Sequence, residues 1–204
     1  MVARLRPANQ RGRINNIGTI LVLIGLRLSG KSTLGPIVAA HLQRDFVDLD
    51  HAVLQKLGTT NVTQTFRDIG ELAWRNAERD ELTRLLAEKK DCVIALGGGT
   101  PTAPGVADIL QAAKARNEIC IALLDPGESE LAVRLKNNRG DRPLLNAAAA
   151  SGDAGADATA EVGALFASRM PLYRTLANVI VDTKESEHAC AKKLLAAFAD
   201  ARVN

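Results

Sequence analysis

The sequence predicts an α/β protein built on a parallel sheet, and three observations carry that reading. Short apolar runs alternate with segments of helical periodicity along most of the chain. The runs are continuous and rich in β-branched residues, as strands buried on both faces require. The first run leads through a glycine loop, Gly25-Leu26-Arg27-Leu28-Ser29-Gly30-Lys31-Ser32-Thr33, straight into a helical pattern. Strand, loop and helix are the context that gives G-x-x-x-x-G-K-[ST] a physical meaning.

Taken in order, residues 19–24 form the first strand, and Leu34, Ile37, Val38 and Leu42 mark the following helix. Residues 46–50 read as a short second strand. Its end presents Asp48 and Asp50 two residues apart, and so on one side if the extended geometry persists. The amphipathic segment with Ala52, Val53 and Leu57 comes next, then a short helix with Val62, Phe66 and Ile69. Gly70 opens a longer helix that ends near Lys90. Residues 91–96 are a third buried strand running into Gly97-Gly98-Gly99-Thr100-Pro101. A helix with Val106, Ile109, Leu110 and Ala113 precedes a fourth strand at 119–124, ended by the Asp125-Pro126-Gly127 turn. A helix closing with 131–135 leads to a basic, glycine-containing segment, 137–145, and an Ala/Gly/Asp-rich insert, 147–160, expected to be flexible or loosely helical. A helix with Leu165 and Phe166 continues to Ser168-Arg169-Met170-Pro171-Leu172-Tyr173-Arg174. Residues 179–181 form the last strand, and an amphipathic helix spans about 187–198.

With 204 residues, 47% hydrophobic and 24% charged, the chain suits a single domain with a sizeable core. Aromatic residues are only 3%, so Leu, Ile, Val and Ala must build that core. A net charge of +3 favours anionic ligands weakly and supplies no nucleic-acid footprint without a basic cluster. No apolar run approaches the ~20 residues of a membrane span. Cys92, Cys120 and Cys190 are odd in number and widely spaced, which suits buried free thiols in a reducing cytoplasm rather than disulfides or zinc. His41, His51 and His188 are scattered and receive no chemistry. Residues 1–16 carry Arg4, Arg6, Arg11 and Arg13 and no acid, which reads as a flexible basic tail rather than a Ser-rich transit peptide. Residues 17–204 are then one domain.

The chemistry expected of the loop is anion capture. Successive backbone N–H groups around Gly30 and Lys31 form a nest, and the helix beginning near Ser32 adds the positive end of its dipole. Lys31 supplies a movable charge for β- and γ-phosphates, and the Ser32 hydroxyl is a ligand for Mg²⁺. Asp48 and Asp50 divide into two uses, one to hold Mg²⁺ through water and one to accept a proton from a substrate hydroxyl. The plainer explanation of the pair is a helix N-cap plus a first-turn acid. Arg75 and Glu78, three apart on one helical face, suit a guanidinium oriented to grip a carboxylate, although a solvated surface pair has the same spacing. The triple glycine lets backbone N–H groups approach a ligand, where otherwise it would merely turn the chain.

These marks together resemble the shikimate kinase family, small members of the nucleoside-monophosphate-kinase-like P-loop proteins. They are Gly30-Lys31-Ser32-Thr33, residues 46–50, residues 71–75, Gly97-Gly98-Gly99, Arg142-Pro143-Leu144-Leu145 and Arg169-Met170-Pro171-Leu172-Tyr173. The resemblance spans about residues 18–182. It implies a three-layer α/β/α P-loop kinase fold, with a five-stranded parallel sheet in the order 2-3-1-4-5. A substrate-binding lobe near 51–80 and a mobile lid near 136–160 would complete it. It also implies transfer of the γ-phosphate of ATP to the 3-hydroxyl of shikimate, in chorismate and aromatic amino-acid biosynthesis, by a cytoplasmic and monomeric enzyme. By position, Lys31, Asp50 and Arg142 look catalytic. Gly25, Leu28, Ser29, Gly30, Lys31, Ser32, Thr33 and Arg134 resemble the nucleotide site, and Ser32 and Asp48 the Mg²⁺ site. Asp50, Arg75, Gly97, Gly98, Gly99, Arg142 and Arg169 resemble the shikimate site, with Glu78 steadying Arg75. The family commonly has another glycine where this chain has Leu28, so a side chain there is expected to perturb the phosphate loop. Relatives often place a proline after the last strand to clamp adenine, and Asp182-Thr183-Lys184-Glu185 has none. Two rivals share the phosphate machinery: another small-molecule kinase such as gluconate kinase, and an inactive nucleotide-binding relative. A guanine-nucleotide switch lacks support, since neither Asn-Lys-x-Asp nor Asp-x-x-Gly occurs.

Overall fold

The computed structural model describes residues 20–88, 91–137 and 154–201. The basic tail at 1–16, Arg142, and most of the segment expected to form the lid lie outside the described residues.

Five strands form one parallel sheet: β1 (Ile20–Ile24), β2 (Asp45–Asp48), β3 (Cys92–Ala95), β4 (Ile119–Leu124) and β5 (Val179–Val181). Their spatial order is β2-β3-β1-β4-β5, as the resemblance implied. Leu23 pairs with both Ala95 and Ala122, and Asp48 also pairs with Ala95. The carboxyl ends of β2, β3 and β1 therefore stop at one edge, and their loops open together. Both edge strands are short and partly polar or exposed, which suits strands with one unpaired side.

Strict alternation along the central strands divides the core into two layers. Ile20, Val22 and Ile24 of β1, with Ile119, Ile121 and Leu123 of β4, face one side. There they meet α4 (Glu71–Glu88), α5 (Val106–Ala115) and α7 (Ala154–Leu176) through Leu82, Leu110, Tyr173 and Leu176. Leu21, Leu23, Cys120 and Leu124 face the other side, against Leu34 and Val38 of α1 (Lys31–Leu42) and Leu194 and Phe198 of α8 (Glu187–Asp200). Fully burying each of these large aliphatic side chains is worth roughly 1.5–3 kcal/mol. All three cysteines are free and buried, as their spacing suggested. The remaining helices are α2 (Leu49–Leu57), α3 (Val62–Ile69) and α6 (Glu128–Asn137).

Two local expectations change. The second strand stops at Asp48, and Leu49 begins α2, so Asp50 sits in the first helical turn rather than on a strand. Asp48 accepts the His51 N–H at 3.3 Å and caps that helix. The segment before Arg169 is also more regular than its composition suggested. α7 runs 23 residues through Pro171, its first turns drawn from the Ala/Gly-rich insert. A proline inside a helix removes one backbone bond, and packing of Met170, Tyr173 and Leu176 offsets that loss.

Gly35 shows how one helix is seated against the sheet beside the site. Glycine inside a helix is ordinarily unfavourable by roughly 0.5–1 kcal/mol relative to alanine. Here a Cβ would overlap the Phe46 ring, so the absent side chain is what lets β2 lie close against α1. Gly35→Ala should therefore destabilise the fold by about 1–3 kcal/mol despite better helix propensity, measurable by urea unfolding. Stability at or above the wild-type level would show that the strand is not seated by this contact.

Candidate active site

The loop between β1 and α1 owes its shape to backbone conformations that side chains rarely adopt. Gly25 has φ 148 and Gly30 φ 101, while Leu28, at φ 64, is one of three non-glycine residues with positive φ among the described residues. At Gly25 a Cβ would lie 2.6 Å from the Leu124 carbonyl oxygen and from Ser29 Oγ, so the turn also needs the missing volume. Gly30 caps α1 without a side-chain bond, and the first turn holds no acid. At the start of this helix no side-chain cap and no first-turn carboxylate thus compete for an anion. Lys31 is folded onto the loop, its Nζ donating to the Gly25 carbonyl at 2.7 Å, the Leu26 carbonyl at 2.9 Å and Ser29 Oγ at 3.3 Å.

Next to the loop, Ser32 Oγ donates to Asp48 Oδ2 at 2.9 Å. Two hard oxygen donors from separate elements thus meet at the helix start. That donor set fits Mg²⁺, which binds through one or two oxygen side chains and keeps several waters.

A second constellation lies on α4. Trp74, Glu78, Leu82 and Leu85 follow one buried stripe, so the face that packs the core also carries charge. Arg75 Nη1 donates to Glu78 Oε2 at 2.7 Å, and Nη2 reaches Glu71 Oε1 at 3.4 Å. Thr100 Oγ1 donates to the other oxygen of Glu78. This is a buried network, not a solvated surface pair. Burial raises the Glu78 carboxyl above its ordinary value, although Arg75 and Thr100 pull it back. Burial alone would lower Arg75, but Glu78 and then Glu71 outweigh it and hold its value raised.

The three glycines after β3 explain themselves by what occupies their missing side chains. A Cβ at Gly97 would stand 2.6 Å from Asp50 Oδ1 and from Glu78 Oε1, and one at Gly98 2.9 Å from the Arg27 backbone nitrogen. At Gly99 it would stand 2.6 Å from Arg75 Nη2. Space, not unusual φ, requires glycine at all three, and the loop seats Asp50 and Arg75 against itself. Opposite, Arg169 Nη1 donates to the Gly98 carbonyl at 3.2 Å and the Tyr173 hydroxyl donates to it at 2.7 Å. Burial pushes that phenol up to about 12, so it stays a donor.

The phosphate loop, Asp48 and Asp50, the Arg75–Glu78 pair and the glycine run open into one cavity of about 820 Å³. Leu28, Gly30, Lys31, Ser32, Thr33, Asp48, Asp50, Arg75, Gly97, Gly98, Gly99, Arg134 and Arg169 line it. Of the expected nucleotide residues, Gly25 and Ser29 are instead buried behind the loop, where they hold Lys31. Val62, Phe66, Trp74 and Leu165 supply apolar wall, with the Phe66 and Trp74 rings 6.4 Å apart. Sequence reasoning did not assign roles to Thr100, Tyr173 or these wall residues. Their signal was only position, a polar residue at the exit of a glycine run and an aromatic one turn after Arg169.

A phosphate cradle beside a hard-oxygen pair, sharing a cavity with a buried arginine network, defines a P-loop kinase that acts on a small anionic acceptor. The comparisons narrow that class. The family model described as shikimate kinase matches residues 27–199, and the chain belongs to that family. It is 37% identical over 162 residues to a shikimate kinase of Mycobacterium avium (strain 104), covering 79% of this chain and 82% of the relative. The structure resembles that of the Acinetobacter baumannii shikimate kinase in complex with shikimate, with TM-score 0.75, 26% identity, and coverage of 91% and 96% of the two chains. A gluconokinase from Sinorhizobium meliloti 1021 shares the fold at TM-score 0.50 and 16% identity, covering 90% and 93%.

Glu78 also sets a testable pH dependence. Its folded value is raised, so its favourable contribution is full below the ordinary glutamate range and is lost as pH rises through the folded value. Ionising Glu78 as pH rises therefore costs the folded state stability relative to the protonated form. Glu78→Gln should gain stability relative to wild type between about pH 4.5 and pH 7 in urea unfolding. A relative loss over that interval would reverse the sign assigned to this carboxyl.

Proposed function

We propose that this kinase transfers the γ-phosphoryl group of ATP to the 3-hydroxyl of shikimate, in chorismate biosynthesis, using the residues gathered around Asp50. The observation that carries the reading is the shared cavity. The phosphate loop and the Arg75, Arg169 and Gly97–Gly99 pocket open into it together, and Asp50 packs against Gly97.

Arg75 and Arg169 grip the carboxylate of the acceptor, a contact that planar guanidinium groups make in bidentate fashion. Glu78 and Thr100 fix the plane of Arg75 before the acceptor arrives, so little ordering remains at binding. Gly97, Gly98 and Gly99 offer backbone groups to the ring hydroxyls. Asp50 accepts the proton of the 3-hydroxyl as its oxygen forms the new P–O bond. The bond to the β-phosphate breaks, ADP departs, and Asp50 returns the proton to solvent. Lys31 leaves its loop carbonyls for the phosphate oxygens, and Arg142 adds a second cation to the transferring group. Ser32 and Asp48 would hold Mg²⁺, which when bound neutralises phosphate oxygens. Arg134 spends its in-plane donors on Glu130 and two backbone carbonyls, which leaves its planar face to stack on adenine.

Residues 51–80 act as the acceptor lobe, and α6 leads into the lid at 136–160. The enzyme works as a cytoplasmic monomer. No helix among the described residues is long and apolar enough to cross a membrane. Buried free thiols suit a reducing compartment, and the exposed Leu57, Ile69, Leu72, Val133 and Ile180 are spread over five elements.

ADP release measured in parallel with shikimate, gluconate and nucleoside monophosphates tests the acceptor, and turnover only with gluconate would replace this reading. Asp50→Asn should leave ATP affinity nearly intact and cut kcat at least ~100-fold, the usual size of a lost general base. Unchanged kcat would remove Asp50 from the proton transfer. Arg142→Ala should depress kcat more than it raises either KM. A change confined to KM would make Arg142 a binding residue instead.

A further inference from the structure

Thr183, just beyond β5, is 3% exposed and stands at the back of the phosphate loop. Its hydroxyl donates to the Ser29 carbonyl at 2.9 Å, between residues 154 apart in sequence. Its own carbonyl accepts from Arg134 Nη2 at 2.6 Å, and Arg134 Nη1 donates to the Leu28 carbonyl at 3.1 Å. Two successive carbonyls of the loop are thus held from outside, one by a threonine and one by an arginine that the same threonine anchors. Arg134 lies one turn before the end of α6, so the strap ties three elements together.

The need for a strap is visible at Leu28. Its φ of 64 lies in the left-handed region, where a leucine side chain is disfavoured. Something outside residue 28 must hold that backbone. Peptide geometry says what the strap achieves. In a trans peptide the carbonyl and the next N–H point opposite ways. Fixing the Ser29 carbonyl against Thr183 aims the Gly30 N–H away from Thr183, and Gly30 lines the cavity. Without the hydroxyl, a buried carbonyl loses a partner, and rotation of that peptide would present oxygen where an anion must sit.

We propose that Thr183 is a positioning residue for nucleotide, which keeps the loop in its anion-binding form although position 28 carries a side chain. The inference rests on the phosphate-loop reading but not on the acceptor, so it is tested by ADP binding. Thr183→Val keeps the volume and removes the hydroxyl. It should raise Kd for ADP in calorimetry about tenfold, as loss of a buried bond to a carbonyl implies, and raise KM for ATP with kcat changed much less. Shikimate affinity should stay within about twofold, and Thr183→Ser should restore ADP binding to within about twofold of wild type. The Thr183→Ala and Thr183→Ser pair, which differ only by the hydroxyl, repeats the comparison if valine packs badly. Wild-type ADP affinity in the valine variant overturns the proposal, as does a serine variant as weak as alanine. If valine and alanine both fail to fold while serine folds, the hydroxyl serves folding rather than nucleotide, and the proposal also falls. Wild-type protein that does not bind ADP would instead overturn the phosphate-loop reading itself.

Discussion

Parallel pairing around β1 decides where the chemistry can be. β3 and β4 flank it in register, and β2 continues the same register through β3, so the carboxyl ends of three strands stop at one edge. The phosphate loop, the Asp48–Asp50 corner and the triple glycine all leave from that edge. None of these loops needs length or flexibility to reach the others. The apolar side chains that enforce the register are buried on both faces, so a slip would expose an entire layer.

On that platform the site is assembled by omission of side-chain volume. Gly35 admits β2 against α1, which brings Asp48 to Ser32. Gly97 and Gly99 leave room for the carboxylate of Asp50 and the guanidinium of Arg75. A Cβ at any of these positions would separate groups that must act together. Charge is then packed where water has been excluded. Glu78 is fully buried and ionises reluctantly, and it is kept in place by Arg75 and Thr100. Arrangements of this kind oppose folding locally and prepare a grip on an anion, which is the usual relation between stability and an active site.

The two readings offered for Asp48 and Asp50 turn out to be compatible. Asp48 is a helix cap, as its residue type suggests, and the same carboxylate has its second oxygen on Ser32. Capping fixes its direction, so the structural role serves the functional one. The same economy holds for Arg134, whose bonds to backbone carbonyls immobilise a side chain at the mouth of the cavity.

Much of the fold was legible because continuous apolar runs, helical spacing and glycine loops are local signals. β1 and β4 fall within a residue of their predicted limits, and the order of the sheet followed from family resemblance. Local signals failed where a neighbour overrode them. The second strand yields to a helix after Asp48, and α7 passes through Pro171 because packing against the sheet outweighs the lost backbone bond. The chain alone determined which residue types carry the chemistry: a lysine and hydroxyl after a glycine loop, two aspartates, paired arginines. Only the tertiary structure decided that the glycines of 97–99 exist to make room for Asp50, Arg75 and the phosphate loop. It also placed Thr100, Tyr173 and Thr183 behind the groups that face the cavity. Those contacts join residues distant in sequence, and no period or motif encodes a contact whose two halves meet only when the sheet has formed.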